Sequence, residues 1–315
     1  MARKPEAVVV IGAGIAGMSA ALAVADAGYP AVLVEREEEP GGNARRLHFT
    51  LGGADPQALL RRLVERVREH PLVTLHCGST VRAIEGYVGN FRSTLVTADG
   101  GQTTVEHGAV IVATGAAEYS GNDYLLGEHP RVVTQTALER HPADMLVLSV
   151  GVVPHDNREL ASMLKVPLGR HGFFLEAHMK LRPVDFATDG VFLCGLAHWP
   201  KHVDEAIAQA QAAASRALTP LSRTAVLAEG MVARVDEDRC VACGTCEHVC
   251  AYGAVAVNPE KAAVNQALCK GCGACAAACR CRAIEIGGWP TRRYSRHWRP
   301  CSHERVGAAH PGVPV

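Results

Sequence analysis

Ala7-Val-Val-Val-Ile-Gly12-Ala-Gly14-Ile-Ala-Gly17 is the stretch from which the N-terminal fold is read. Residues 7–11 are uncharged and mostly β-branched, which suits a strand buried on both faces of a parallel sheet. Three glycines follow at G-x-G-x-x-G spacing and open an alanine-rich helix that is expected to run to about Ala27, with Gly28 ending it. Gly12 allows the tight turn, Gly14 lets backbone amides approach a pyrophosphate, and Gly17 lets helix and strand pack closely. The helix start then offers free N–H groups and the positive end of a dipole to phosphate. A second strand is expected over residues 31–35, closing on Glu35, whose carboxylate can accept hydrogen bonds from an adenosine ribose. Strand, turn, helix and acid in register predict a Rossmann-type dinucleotide site, and Glu35 alone leaves FAD and NAD both open.

Three further stretches bear on that choice. Gly41-Gly42 lies just past the acid, in an E-x5-G-G arrangement that resembles FAD-binding, disulfide-reductase-like flavoproteins. Val110-Ile-Val-Ala-Thr114-Gly115 looks like the strand and "ATG" turn of that group, and Asp189-Gly-Val-Phe-Leu-Cys-Gly195 like its closing strand beside the flavin. Their order implies FAD, held by Gly12, Gly14, Gly17, Glu35, Gly41, Gly42, Thr114, Gly115 and Gly195.

Between these landmarks the periodicities suit such a fold. Asp55 is placed to cap a helix over residues 56–69, with Leu59, Leu60, Leu63, Val64 and Val67 on one face. Residues 73–75, 81–84, 92–97 and 103–105 read as short strands, grouped as a small antiparallel meander. Residues 145–150 read as a buried strand, and Asp156 or Asn157 as the start of a helix toward Lys165. A second alanine-rich helix is expected over residues 203–218, its N-terminus toward the pyrimidine edge of the flavin, and residues 219–230 as a linker.

The C-terminal third carries one cysteine pattern twice. Cys240, Cys243, Cys246 and Cys250 are spaced C-x2-C-x2-C-x3-C, and Cys269, Cys272, Cys275 and Cys279 repeat it. Such runs make a two-cluster ferredoxin module in which the fourth cysteine of each run ligates the other cluster. Cys240, Cys243, Cys246 and Cys279 are therefore assigned to one [4Fe-4S] cluster, and Cys269, Cys272, Cys275 and Cys250 to the second. Zinc is the competing ligand, but its sites seldom use four regularly spaced cysteines per run. Ala251 and Arg280 stand where ferredoxins usually have proline, a change that alters the turn and removes no ligand.

With 48% hydrophobic residues the chain can form ordinary packed cores. The formal net charge is zero, which gives no electrostatic case for nucleic acid or an anionic membrane. No apolar run reaches a membrane span, and the glycine spacing after residue 7 marks a phosphate turn rather than a signal peptide. The cluster cysteines point to a reducing cytoplasm, leaving Cys77, Cys194, Cys281 and Cys301 as ordinary thiols.

Longer stretches narrow the reading. Gly86-Tyr-Val-Gly-Asn-Phe91, Pro130-Arg-Val-Val-Thr-Gln135, Pro154-His-Asp-Asn-Arg-Glu-Leu160, Phe173-Phe-Leu-Glu-Ala-His-Met-Lys-Leu-Arg-Pro183 and Gly195-Leu-Ala-His-Trp-Pro-Lys201 resemble the A subunit of heterodisulfide reductase. The resemblance covers roughly residues 5–286. It implies an FAD-containing electron-transfer subunit that serves iron–sulfur partner subunits, usually as a dimer within a larger cytoplasmic complex. It also places Lys201 beside flavin N5, as the expected catalytic residue, where a cation would stabilise negative charge; a solvated surface lysine is the plainer alternative. Long family members carry a second nucleotide-binding fold before residue 145. Here residues 134–144 bridge directly to the expected strand, and no second glycine fingerprint exists, which matches the compact A-like subunits of sulfur-oxidising complexes. No paired cysteines occur in the flavin part, so a dithiol mechanism is not expected.

The fold class expected is α/β, a Rossmann-type FAD domain at residues 1–222 followed by a small α+β ferredoxin-like domain at 223–288 and a tail at 289–315 without structure of its own. The function expected is electron transfer between flavin, two clusters and partner subunits. A self-contained flavin oxidoreductase acting on NAD(P)H or a small substrate, and a docking subunit with structural cofactors, are the other two readings.

Overall fold

In the computed structural model, which describes residues 7–50, 52–121, 125–138, 151–223 and 231–287, the N-terminal strands form the parallel sheet that their β-branched runs require. The chain divides into two compact units, Met1–Leu227 and Ala228–Val315.

The first unit begins β1 (Val8–Ile11), α1 (Ile15–Asp26), β2 (Ala31–Val34), α2 (Pro56–Glu69), β3 (Val73–His76), with a 3-10 turn at Gly42–Arg46 before α2. It continues β4 (Ser79–Tyr87), β5 (Asn90–Thr97), β6 (Gln102–His107), β7 (Ala109–Val112), β8 (Ala116–Glu118), α3 (Gln135–Leu138), β9 (Val152–Pro154), α4 (Arg158–Leu164), β10 (Val191–Leu193) and α5 (Val203–Leu221). The main sheet has the order β10-β7-β1-β2-β3 and is parallel throughout. Alternation along β1 sorts its side chains. Val8 and Val10 face a core shared with α1, α2 and α5, whereas Val9 and Ile11 face one shared with β5 and α4. The sheet is thus a middle layer, with helices on one side and the β4-β5-β6 meander plus α4 on the other.

Local chemistry explains the element ends. The Asp55 side chain accepts hydrogen bonds from Gln57 N at 2.8 Å and Ala58 N at 3.0 Å, and these hold its carboxyl below the usual range. Leu60, Leu63 and Val67 of α2 are buried, and Leu59 and Val64 pack beside them. The Gln57 side-chain amide donates to Ala44 O and Leu47 O at 2.8 and 2.6 Å, fixing the 3-10 turn against α2.

Two expectations need correction. The strand at residue 73 is not part of the meander; β3 pairs in parallel with β2 and forms the edge of the main sheet. The expected linker starts too early, because α5 continues through Pro220 to Leu221, which is buried in the core. The expected strand at residues 145–150 and the tail at 289–315 lie outside the described residues.

The second unit contains β11 (Ala233–Val235), α6 (Thr245–His248), β12 (Val255–Val257), β13 (Ala262–Val264), α7 (Ala274–Ala278) and β14 (Ile284–Ile286). Its two halves repeat strand, helix, strand, and they exchange partners. β11 pairs antiparallel with β14, and β12 with β13. Ala233, Val255, Ala262 and Ile284 form its small core together with Cys246 and Cys275.

Candidate functional site

The glycine turn is built by close backbone approach. A Cβ at Gly12 (φ +103°) would sit 2.3 Å from Ala113 O, and one at Gly17 would sit 1.8 Å from Gly12 O. A Cβ at Gly14 would meet nothing within 4 Å, because that position opens into a cleft. Glu35 is only 7% exposed. Its Oε2 accepts from Ala13 N at 2.7 Å and its Oε1 from Glu37 N at 3.1 Å, so the acid fastens the turn to the end of β2. Gly41 N donates to Ala13 O at 2.8 Å, which brings the Gly41-Gly42 pair onto the same turn.

The cleft has a volume of about 450 Å³. Of the expected residues, Gly12, Gly14, Glu35, Gly41, Gly42, Thr114, Gly115 and Lys201 line it. Gly17 and Gly195 lie behind its wall: Gly17 packs helix on strand, and Gly195 holds the groups around Lys201. The first turn of α5 lines the cleft too, through His202, Val203 and Ala206. Lys201 is half-buried, and burial lowers its affinity for a proton. Its Nζ donates to Gly195 O at 3.0 Å and to Gln209 Oε1 at 2.8 Å, with His198 Nδ1 at 3.3 Å. It is therefore not the solvated surface lysine that sequence alone allowed. Cys194 is fully buried, and burial pushes its thiol up to about 12; it stays protonated at neutral pH.

Sequence reading missed three participants. Asn157 precedes α4 and is 4% exposed; its Oδ1 accepts from Thr114 Oγ1 at 3.3 Å, while its Nδ2 is the one buried side-chain polar atom without a partner among the described residues. Gln209 reaches from α5 to Gly195 N at 2.9 Å, and Glu176 Oε2 lies 2.8 Å from His198 Nε2. A glutamine inside an alanine-rich helix was the available clue to the second. Glu176 sits in the Phe173–Pro183 stretch singled out above, but nothing local paired it with His198.

These residues fit FAD. The turn presents backbone where a pyrophosphate needs close approach, the acid lies at the end of β2, and an unpaired donor at Asn157 sits in the wall.

In the second unit some of the thiols act on one another through their charges. Burial pushes Cys275 up, and the charges of Cys269, Cys250 and Cys272 add to this; burial likewise raises Cys246, beside Cys240 and Cys243. Cys250 thus keeps company with the other run. Backbone amides point at four sulfurs: Ala254 N to Cys250 at 3.2 Å, Ala283 N to Cys279 at 3.3 Å, Ala233 N to Cys269 at 3.3 Å and Ala262 N to Cys240 at 3.4 Å. The last two cross between halves. Amide donors aimed at sulfur favour thiolate, which suits an iron–sulfur donor set. The Thr245 hydroxyl and backbone lower the Cys243 thiol, and the charge of Arg280, in the place usually taken by proline, adds the smallest contribution.

Residues 6–134 match the Pyridine nucleotide-disulphide oxidoreductase family and residues 233–255 the 4Fe-4S binding domain. The chain is 48% identical over 113 residues to an iron-sulfur A subunit of the CoB--CoM heterodisulfide reductase of Methanopyrus kandleri, covering 36% of this chain and 17% of that protein. It is 37% identical over 160 residues to the A subunit of the Ferredoxin/F(420)H(2)-dependent CoB-CoM heterodisulfide reductase of Methanosarcina acetivorans, covering 50% of this chain and 20% of that one. The match therefore spans a fifth or less of these relatives' length. Among solved structures, the L-proline dehydrogenase from P. horikoshii superposes with a TM-score of 0.51 at 16% identity, over 71% of this chain and 58% of that one, a likeness of fold. Over a third to a half of its length the chain is similar to heterodisulfide reductase A subunits, and it joins an FAD-binding domain of the disulphide-oxidoreductase kind to a 4Fe-4S binding domain.

Proposed function

We propose that this chain is an electron-transfer subunit of a heterodisulfide-reductase-like complex, passing electrons between FAD, two [4Fe-4S] clusters and partner iron–sulfur subunits. The observation that carries it is the presence in one chain of a dinucleotide cleft and two complete four-cysteine runs. Bound FAD supplies two-electron chemistry and the clusters one-electron chemistry. The chain's own residues do the rest. Gly12, Gly14 and the start of α1 cradle the pyrophosphate, with Glu35 toward the ribose; Gly41, Gly42, Thr114 and Gly115 wall the cleft, and Gly195 anchors Lys201 and Gln209 behind it. Lys201 places a cation at the end of the cleft formed by α5. Cys240, Cys243, Cys246 and Cys279 hold one cluster, and Cys269, Cys272, Cys275 and Cys250 the other, a division supported by the company Cys250 keeps.

The flavin domain spans residues 1–222 and the ferredoxin-like domain 223–288. Among the described residues no helix is long and apolar enough to cross a membrane. A cytoplasmic location follows from the reduced thiols that the clusters need, and a homodimer within the larger assembly from the family resemblance.

The test is anaerobic reconstitution, followed by assay of FAD, iron and sulfide and by stopped-flow mixing with NADH. About one FAD and eight irons per chain, with flavin reduced by dithionite and not by NADH, supports a subunit fed through partners. Rapid bleaching by NADH makes the chain a self-contained oxidoreductase, and failure to bind either cofactor overturns the proposal.

A further inference from the structure

An ammonium group has three N–H donors, and all three of Lys201's have a protein acceptor: Gly195 O, Gln209 Oε1 and His198 Nδ1. Donor logic fixes the surroundings. Gln209 Oε1 faces two donors, Gly195 N and Lys201 Nζ, so its Nε2 must face His198 Nδ1, at 2.9 Å. His198 Nδ1 is then approached by two donors and can only accept. The ring proton sits on Nε2 and is donated to Glu176 Oε2 at 2.8 Å. Each group in this array has one consistent role, and only Lys201 reaches the cleft.

The longest of the three lysine contacts is the one to His198, at 3.3 Å against 2.8 and 3.0 Å. It is also the acceptor already served by a second donor. Lys201 therefore turns an N–H toward a cleft ligand most easily by giving up His198. A proton on His198 Nδ1 forces the same change, since the acceptor becomes a donor while Glu176 holds the ring in place.

We propose that Gln209 and the Glu176–His198 pair are positioning residues for Lys201, with Gln209 keeping the ammonium at the cleft and His198 deciding whether one of its N–H groups is free for the bound cofactor. The proposal rests on the FAD reading of the cleft. Charged or titratable groups acting on Lys201 are Glu176, Glu205 at the start of α5 and the buried Cys194. Those acting on His198 are Lys201 and Glu176. Burial and the lysine charge lower the proton affinity of His198, and Glu176 raises it. Glu176→Gln is therefore expected to move His198's titration to lower pH.

The test is the midpoint potential of the flavin against pH, by spectroelectrochemistry on the reconstituted full chain. Wild type, Glu176→Gln, His198→Asn, Gln209→Leu and Lys201→Met are compared, with FAD content measured first for each. The profile of wild type is expected to bend where His198 titrates. In Glu176→Gln the bend moves down by about one pH unit, in His198→Asn it disappears, and Lys201→Met also removes it. Gln209→Leu shifts the potential at every pH. Profiles of Glu176→Gln and His198→Asn that overlay wild type overturn the proposal, as does an unchanged profile in Lys201→Met. Failure of wild type to bind FAD is a different result and refutes the site itself. If His198→Asn does not fold, the conservative Glu176→Gln decides.

Discussion

Alanine at Gly17 and alanine at Gly14 are chemically the same change three residues apart, and the structure assigns them opposite consequences. At Gly17 the new Cβ would stand 1.8 Å from Gly12 O, which is backbone and held by the turn, so α1 must move away from the turn by more than an ångström. Overpacking of this kind costs about 1–3 kcal/mol or more. The upper end is expected because Gly12 itself abuts Ala113 O and has no room to retreat. For a domain of this size, about 3 kcal/mol lowers the melting temperature by roughly 6–12 °C. At Gly14 the backbone is extended (φ −72°, ψ −178°) and nothing lies within 4 Å, so the apoprotein is expected to keep its stability to within about 0.5 kcal/mol. The methyl group instead enters the space where the pyrophosphate must approach. Loss of at least tenfold in FAD affinity, about 1.4 kcal/mol, is expected. Calorimetry on the apoproteins and fluorescence titration with FAD separate the two. A destabilised Gly14→Ala apoprotein, or one that binds FAD like wild type, would refute the placement of the pyrophosphate at this turn.

Three other outcomes are expected. His107 is fully buried, donates from Nδ1 to Ala109 O at 3.0 Å and accepts at Nε2 from Ser93 Oγ at 2.7 Å, and burial holds it down at about 4. Since the unfolded chain takes up the proton first, this histidine's contribution is complete above pH 6.5 and is lost as pH falls toward 4. Urea melts of the first unit should therefore lose about 3 kcal/mol across that window, and a His107→Gln variant that loses as much sinks the assignment. Asn157→Asp keeps the Oδ1 acceptor for Thr114 and replaces the unpaired Nδ2 donor with an acceptor, so FAD should bind several-fold more weakly; unchanged FAD affinity counts against Asn157 as a ligand. Cys250→Ser should disturb the cluster held by Cys269, Cys272 and Cys275 and leave the Cys240 run's cluster signal in place by electron paramagnetic resonance, and the reverse pattern would mean that the runs do not cross.

Much of the first unit was readable because its signals are local. The glycine turn, the Asp55 cap and the apolar stripe of α2 each lie within a few residues, and the structure shows each. What failed was partner choice. Val73-Thr-Leu-His76 reads as a strand from its own residues, but its ladder is with Ala31–Val34, about forty positions earlier, and nothing in the strand itself distinguishes that partner from the nearby meander. The Lys201 array divides in the same way. His198 and Lys201 lie three apart in a recognised stretch, whereas Glu176 and Gln209 reach them from separate segments.

The cysteine repeat has a counterpart in the exchanged strands. Because β11 pairs with β14 and β12 with β13, neither half can complete its own sheet. Ala233 N serves Cys269 and Ala262 N serves Cys240, so the first strand of each half also holds a sulfur of the other. The proposed cross-assignment of Cys250 and Cys279 would be one more exchange of the same kind. A unit with so small an apolar core depends on those exchanges and on its metal ligation for cohesion. Removing one ligand should thus loosen the strand that serves the other half's first cysteine as well as the cluster it binds, and that places the coupling between the clusters in the backbone as well as in the distance between them.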